Sequence, residues 1–386
     1  MESARIQEVQ TPVIPILGQW IKANPGTISL GQGVVYYDPP KEAITCVVEN
    51  LLTPHVHKYK LAEGIAPLLK LIEDKLGKEN GIKIDSEKNA VFVTAGANMA
   101  FYNILFAIAD PGDEIILLSP YYFNYEMAIS IAGCKVVTVP TDSNYQPDID
   151  TIKGAINSKT KAIVTITPNN PTGVVYSKDI LTEINSLCRD NNIYHICDEA
   201  YEYFTYGEVE HFSPGSIKDS ENYTVSIYSL SKAYGMASWR IGYLVLPKHL
   251  EMAFKKIQDT NVICAPVVSQ YAGVGAMGVG NEYCREHLAS IKNVRKLVLS
   301  QLESVGDKIS FSHPDGAFYI FIRINNTNLT SMEFVKKMIF DNKVALVPGS
   351  TFGVETGCYV RLAYGALKEE TATEGIGRFI DGLKSI

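Results

Sequence analysis

Short apolar runs alternate with helix-like stretches through the middle of the chain. Several of these runs are apolar at successive positions rather than at alternate ones, which is typical of strands covered by helices on both faces. Strands that alternate with helices predict an α/β fold with a mostly parallel, seven-stranded sheet flanked by helices. The seven runs are VFVTAG (91–96), EIILLSP (114–120), KVVTVP (135–140), KAIVTITP (161–168), IYHICDEA (193–200), TVSIYSL (224–230) and IGYLVLP (241–247).

The pattern changes after residue 290. A long amphipathic helix, IKNVRKLVLSQLESV, precedes short strands around residues 317–324 and 358–365, and this mixture predicts a second, smaller α+β domain. The first 40 residues contain several prolines and glycines, so we expect an irregular arm there. The predicted division is an N-terminal arm with part of the small domain (1–44), a large domain that contains the sheet (45–290) and a C-terminal small domain (291–386).

Composition narrows the class of protein. The chain has 386 residues, of which 46% are hydrophobic and 20% charged, as in soluble globular proteins of about two domains. Its net charge of -7 argues against a nucleic-acid partner, which would require a basic surface. We expect a cytoplasmic protein with no membrane partner, because no apolar stretch reaches roughly 18 residues and no signal pattern opens the chain. The seven scattered cysteines indicate neither a disulfide framework nor a metal site.

Residues able to carry chemistry follow the predicted strands at their carboxyl ends, where an open parallel sheet forms its ligand crevice. In TAGANMA (94–100) a strand runs through a glycine turn into a helix, so the backbone N–H groups of Ala97 and Asn98 can bind a phosphate. Asn170 lies on a rigid turn between two prolines. Asp198 ends a buried strand, where a carboxylate needs a cation that no neighbouring residue in the sequence supplies.

A lysine supplies the reactive group. Lys232 follows another strand end, after the hydroxyls of Ser229 and Ser231, and Arg240 stands eight residues later. Lysine is the side chain that forms imines with carbonyl compounds, and arginine binds phosphate strongly. Together with the phosphate cradle and the buried Asp198, these residues describe a site for pyridoxal 5′-phosphate (PLP).

The motifs that carry this site occur together in one known family. NPTG, DEAY and SLSKxYGMxxWRxGY stand in this order, with Asn170, Asp198 and Lys232 separated by 28 and 34 residues. From about residue 27 to residue 380 the chain resembles the class I/II aminotransferases, the aspartate-aminotransferase-like enzymes of PLP-dependent fold type I. The resemblance implies transfer of an amino group from an L-amino acid to a 2-oxo acid. A PLP-dependent lyase or cyclase of the same fold, acting by β- or γ-elimination, is the alternative, because it shares these residues.

The resemblance also implies roles for the residues around the cofactor. Lys232 is expected to hold PLP as an imine and then to move a proton between the substrate Cα and the cofactor as general acid and base. Asp198 should keep the pyridine nitrogen protonated, and Tyr201 and Asn170 should bind the 3′-oxygen of the ring. Tyr122 matches the aromatic side chain that stacks on the ring. The groups expected to bind phosphate are Arg240, Ser229, Ser231 and the backbone of Ala97 and Asn98.

The remaining implied roles concern the substrate and a second subunit. Arg361, in YVRLAYG, matches the arginine that binds the substrate α-carboxylate, and Gly33 matches a glycine that lines the substrate pocket. Tyr59 matches the tyrosine that reaches the phosphate of a neighbouring subunit, so we expect a homodimer with shared active sites. Some bacterial members that take dicarboxylates have a lysine at the position of Asn98. No replacement cation is evident here, which argues against aspartate as the substrate.

Overall fold

The computed structural model describes residues 2–385, and its large sheet has seven strands that coincide with the seven apolar runs of the sequence. A four-stranded and a two-stranded sheet lie beside it. The predicted fold class is therefore confirmed. The strands are β1 (Ile28–Ser29), β2 (Asn89–Thr94), β3 (Glu114–Ser119), β4 (Lys135–Pro140), β5 (Thr160–Ile166), β6 (Tyr194–Asp198), β7 (Thr224–Ser229), β8 (Gly242–Pro247), β9 (Ile309–Phe311), β10 (Tyr319–Ile324), β11 (Val344–Ala345), β12 (Val347–Pro348) and β13 (Cys358–Ala363).

The order of the large sheet brings distant segments to one edge. It runs β2-β8-β7-β6-β5-β3-β4, and β8 is antiparallel to both of its neighbours while the other pairs are parallel. Gly242, at the start of β8, pairs with Thr94 at the end of β2 and with Ser229 at the end of β7. The reversed strand β8 therefore begins at the edge where the other strands end. The residues that precede β8 lie at this edge, beside the residues that follow the other strands.

Helices cover both faces of this sheet. Ile116 and Leu117, neighbours on β3, are both buried but point to opposite faces, the first toward α8 and the second toward α5 and α10. In the part of the chain that the structure describes, no helix is both long enough and apolar enough to span a membrane. The helices are α1 (Ala4–Gln7), α2 (Val13–Ala23), α3 (Lys41–Leu51), α4 (Ala66–Lys75), α5 (Ala97–Ile108), α6 (Phe123–Ile131), α7 (Ile149–Ala155), α8 (Lys178–Asp190), α9 (Leu230–Ala233), α10 (Glu251–Asn261), α11 (Val267–Gly278), α12 (Glu282–Glu303), α13 (Ser331–Asn342) and α14 (Glu369–Lys384).

The N-terminal segment differs from the irregular arm that its prolines predict. It contains α2, a helix of 11 residues that buries Val13 and Leu17. Pro15 lies in the first turn of this helix, where a missing N–H costs nothing because that group has no partner within the helix. Beyond α2, strand β1 pairs with β11 and so joins the C-terminal part of the chain.

The C-terminal part forms an antiparallel sheet in the order β12-β13-β10-β9, packed against helices. It contains both strands that the sequence predicts there, β10 and β13. The long amphipathic helix is α12, which begins at Glu282 and runs across residue 290. The division of the chain at residues 44 and 290 stays a prediction.

Candidate active site

A cavity of about 700 Å³ lies at the edge where the strands of the large sheet end. Its volume is within the range of pockets that bind small molecules and cofactors. Of the residues that the sequence singles out for the site, all except Tyr59 line this cavity. They come from strand ends, from the turns that follow them and from β13 of the small sheet.

Lys232 lies in α9, the single helical turn after β7, and its side chain enters the cavity. The Nζ atom donates a hydrogen bond to the carbonyl oxygen of Gly33, and the hydroxyl of Tyr37 donates one to the carbonyl oxygen of Lys232 at 2.8 Å. Burial, with the nearby positive charges of Arg361 and Arg240, lowers the pKa of Lys232 to about 8. A larger fraction of the amine is therefore neutral near pH 7, which is the form that attacks a carbonyl.

Asp198 is the last residue of β6 and is only 5% exposed. Its carboxylate accepts a hydrogen bond from the hydroxyl of Tyr125 at 2.5 Å and one from the backbone N–H of Ala200 at 3.0 Å. Burial raises the pKa of Asp198 to about 6, although these hydrogen bonds act in the opposite direction. A cation bound beside Asp198 would stabilise its charged form.

Arg361 lies on β13 with 3% of its surface exposed. Its Nη1 donates to Oδ1 of Asn170 at 2.9 Å and its Nη2 to the carbonyl oxygen of Gly31 at 2.8 Å. The guanidinium carbon is 4.6 Å from the centre of the Tyr319 ring. The Nε atom is buried and has no partner among the described residues. An oriented guanidinium at the wall of a cavity, with an N–H group still unpaired, is suited to binding a carboxylate.

Tyrosine side chains line the same cavity as Asp198 and Arg361. The hydroxyls of Tyr201 and Tyr319 are 2.7 Å apart, and Nδ2 of Asn124 donates to the hydroxyl of Tyr122 at 2.7 Å. Burial raises the pKa of Tyr201 well above its ordinary value and also raises that of Tyr122. Both phenols therefore stay protonated and can donate hydrogen bonds to a bound oxygen.

An anion cradle forms where α5 begins. Ala97 is the first residue of this helix, and Gly96 before it has a φ of 84°, a conformation that favours glycine. The guanidinium of Arg240 lies directly against Gly96, in the space that a Cβ atom would occupy. The hydroxyl of Ser229 accepts a hydrogen bond from the N–H of Ser231 at 3.1 Å. A helix N-terminus, two serine hydroxyls and an arginine converge here, as phosphate binding requires.

These groups fit PLP. The cradle matches its phosphate, the buried carboxylate of Asp198 its ring nitrogen, and the amine of Lys232 its aldehyde. Gly96 leaves the backbone open beside Arg240, so the guanidinium and the start of α5 can contact one anion. Within residues 2–385, His, Cys, Asp and Glu side chains form no group of three or more that could hold a metal ion.

Three parts of the site are missed by sequence reasoning. Tyr125 and Tyr319, which bind Asp198 and Tyr201, lie in a helix and a strand where an aromatic residue is typical of a core. Tyr125 has one signal in the sequence, its position three residues after Tyr122, and Tyr319 has none. The third part is α2, one face of which lines the cavity. Tyr59 is 81% exposed and lies outside the cavity, so its role toward a second subunit stays a prediction.

Comparison with known proteins assigns the class. The model of the family "Aminotransferase class I and II" matches residues 25–379, so the chain belongs to this family. Aspartate aminotransferase of Thermotoga maritima is 34% identical over 367 residues, covering 95% of this chain and 93% of that protein. Aromatic-amino-acid aminotransferase 2 of Thermococcus litoralis is 32% identical and covers 95% of each chain. The structure of Thermus thermophilus aspartate aminotransferase with maleate has a TM-score of 0.91 at 29% identity, covering 99% of both chains.

The chain is therefore a PLP-dependent aminotransferase, as its motifs predict. The family, the fold, the activity and the cofactor are confirmed. The alternative of an eliminating lyase or cyclase is not favoured, because the similar proteins of Thermotoga, Thermococcus and Thermus are all named aminotransferases.

Proposed function

We propose that Lys232, Asp198 and Arg361 carry this transamination, and that the reaction moves the amino group of an L-amino acid to a 2-oxo acid. The observation that carries the proposal is that all three side chains reach the same cavity. PLP, when bound, supplies an electron sink for the pair released when the Cα–H bond breaks. The names of similar proteins make aspartate, aromatic amino acids and prephenate candidate substrates.

Lys232 has two tasks in this proposal. Its lowered pKa, about 8, makes the amine a nucleophile for the cofactor aldehyde near neutral pH. With cofactor and amino acid bound, the same amine would take the proton from the substrate Cα as a general base and pass it to the former aldehyde carbon of the cofactor as a general acid. An amine with a pKa near the working pH can perform both steps.

Asp198 and the tyrosines hold the cofactor in its reactive form. Asp198 would accept a charged hydrogen bond from the ring nitrogen of bound PLP, and the hydrogen bond from Tyr125 orients the carboxylate for that contact. Tyr201 and Asn170 would bind the ring oxygen and Tyr122 would lie against the ring. The phosphate would be held by the cradle at Ala97, Asn98, Ser229, Ser231 and Arg240.

Arg361 and Gly33 lie in the part of the cavity that binds the substrate in this proposal. The contacts of Arg361 to Asn170 and Gly31 hold its guanidinium in place, so a substrate α-carboxylate meets an oriented partner. The carbonyl oxygen of Gly33 accepts a hydrogen bond from Nζ of Lys232. The part of the cavity wall at Gly33 therefore lies next to the reactive amine.

We further propose that the enzyme is a cytoplasmic homodimer with shared active sites. Large apolar side chains are exposed between residues 44 and 61, including Leu52 at 85% and Leu61 at 70%, with Tyr59 between them at 81%. Such a patch is typical of a protein interface, and a second copy would cover it while bringing Tyr59 to the neighbouring phosphate. All seven cysteines are unpaired, which supports a reducing compartment.

Chemical trapping tests the proposed attachment. Protein loaded with PLP is treated with borohydride, which reduces an imine to a stable secondary amine. The labelled peptide is then identified by mass spectrometry. We expect the label on Lys232, and none at that position in Lys232→Ala. A label on another lysine would refute the assignment. In parallel, exchange of amino groups between amino acids and 2-oxo acids should occur, whereas release of pyruvate and ammonia from a β-substituted amino acid would indicate a lyase.

A further inference from the structure

One face of α2 forms a wall of the active-site cavity. Ile14, Leu17, Gly18 and Ile21 line it, and their spacing of i, i+3, i+4 and i+7 places them on one side of the helix. The side chains toward the cavity are therefore apolar, with a gap at the glycine. Nothing in the roles proposed for the cofactor or the α-carboxylate uses this wall.

The rest of this end of the cavity is also uncharged. Val34, Leu346 and Val347 line it together with α2. Among the described residues that line the cavity, the cationic side chains are Lys232, Arg240 and Arg361. In the proposed function, Lys232 and Arg240 bind the cofactor and Arg361 binds the α-carboxylate. Asn98, also in the lining, is neutral. A second carboxylate on the substrate would lose its water without gaining a partner from these residues.

We propose that this cavity selects amino donors with uncharged, apolar side chains, aromatic ones included, over the dicarboxylic amino acids. The inference rests on the proposed function, because it takes Arg361 as the group that binds the α-carboxylate. With that end fixed and the amine at Lys232, the side chain of the substrate extends toward α2 and Val34. Burial of apolar surface against Leu17 and Ile21 then contributes to binding.

Gly18 sets the size of the donor in this proposal. Glycine within a helix is destabilising by roughly 0.5–1 kcal/mol relative to alanine, so its presence needs a reason. Neither crowding nor backbone conformation supplies one, since a Cβ atom at Gly18 meets nothing within 4 Å and its φ is not positive. Gly18 is exposed and lines the cavity, so its missing side chain leaves space at the cavity rim where the far end of a large donor side chain would lie.

A donor series tests the selectivity. The holoenzyme is assayed with one 2-oxo acid and with phenylalanine, leucine, alanine, aspartate and glutamate as donors. We expect kcat/KM for phenylalanine or leucine to exceed that for aspartate by about tenfold or more. A preference for aspartate or glutamate, including one that arises from a cation of a second subunit, would overturn the proposal while leaving transamination intact. Absence of transfer from every donor would instead count against the proposed function.

Substitution of Gly18 tests the wall directly. In Gly18→Leu we expect kcat/KM to fall about tenfold for phenylalanine and to change little for alanine. The visible absorption of bound PLP should not change, because α2 does not contact the phosphate cradle in this proposal. Gly377→Leu is the matched control, since Gly377 is also a helical glycine with nothing within 4 Å of its Cβ position but does not line the cavity. Equal losses for both donors, or no loss for either, would refute the role of Gly18.

Discussion

The buried carboxylate of Asp198, which is proposed to bind the cofactor, lowers the stability of the cofactor-free protein. Its pKa in the folded protein is about 6 against an ordinary 3.8, because burial penalises the charged form. Above pH 6 the ionised carboxylate therefore destabilises the cofactor-free protein by about 3 kcal/mol, taking roughly 1.4 kcal/mol for each pKa unit. The penalty shrinks as the pH falls from about 6 and is absent below about 4. A bound ring cation would remove it at neutral pH.

We therefore predict that Asp198→Asn stabilises the cofactor-free protein while it weakens PLP binding. The free energy of unfolding at pH 8 should rise by about 1–3 kcal/mol, and the gain should vanish near pH 4. Urea denaturation across this pH range measures the effect, and titration with PLP measures the loss of affinity. The solvent-exposed Asp259→Asn serves as the control. A variant that is less stable than the parent at pH 8 would contradict this account.

Individual site residues differ in how far the sequence predicts them. Asn170, Asp198 and Lys232 stand in motifs whose order and spacing identify the family, so their convergence in one cavity could be anticipated. Arg361 could be anticipated from its match to the family arginine in YVRLAYG. Tyr125 and Tyr319 could not, since a pattern of apolar positions does not distinguish a tyrosine that packs from one whose hydroxyl binds a neighbour. Only the folded geometry shows that Tyr319 lines the cavity and that Tyr125 donates a hydrogen bond to Asp198.

At the scale of elements, the seven strands of the large sheet are predictable but the direction of β8 is not. A run of apolar residues indicates that a strand is buried on both faces, and β8 is buried in this way although its neighbours are antiparallel to it. The run therefore does not indicate the direction of the strand. The direction matters, because it places Arg240, just before β8, at the edge where β2 and β7 end. Helix α2 is missed for another reason, because the sequence alone does not show whether Pro12 and Pro15 interrupt a helix or begin one.

A buried ion pair anchors the segment that carries Asp198 and Tyr201. Lys75, at the end of α4, lies 2.5 Å from the carboxylate of Glu202, and both side chains are about nine-tenths buried. Nδ2 of Asn80 also donates to Glu202 at 2.8 Å. Since Glu202 directly follows Tyr201 in the chain, the pair ties a site segment to a helix outside the site.

We expect Glu202→Gln to lower the free energy of unfolding by about 3 kcal/mol at pH 7, because it leaves Lys75 charged and buried with only neutral partners, Oδ1 of Asn80 at 2.7 Å and the Tyr228 ring at 4.4 Å. Denaturation in urea with a circular dichroism signal measures this change. The double variant Lys75→Met with Glu202→Leu should recover most of the loss, as the uncompensated charge is gone. A single variant as stable as the parent would show that water or another group satisfies Lys75.

For the whole molecule, the question is whether two chains share each active site. We predict that Lys232→Ala and Tyr59→Ala are each impaired as purified dimers, but that unfolding and refolding a mixture of the two restores activity. In a hybrid dimer one site has Lys232 from one subunit and Tyr59 from the other, while the second site lacks both. Random pairing should give about a quarter of the parent activity.

The result is read from the mixed sample against each variant refolded alone. If Tyr59 instead acted in the site of its own subunit, one site of each hybrid dimer would lack Lys232 and the other would lack Tyr59. No site would be intact, so mixing the variants would not restore activity. Analytical ultracentrifugation of the same samples establishes the oligomeric state. A monomer at assay concentration would remove the basis for sharing.

The hydrogen bonds of Arg361 also bear on protein synthesis. Its partners Gly31 and Asn170 stand 330 and 191 residues earlier in the chain. A nascent polypeptide emerging from the ribosome therefore displays the amine of Lys232 well before it can make the group that recognises a carboxylate. Contacts between such remote segments form late and slowly in folding. Translation that stalls ahead of β13 yields a product that contains Lys232 but lacks Arg361, so the group that binds the α-carboxylate is the last part of the site to be made.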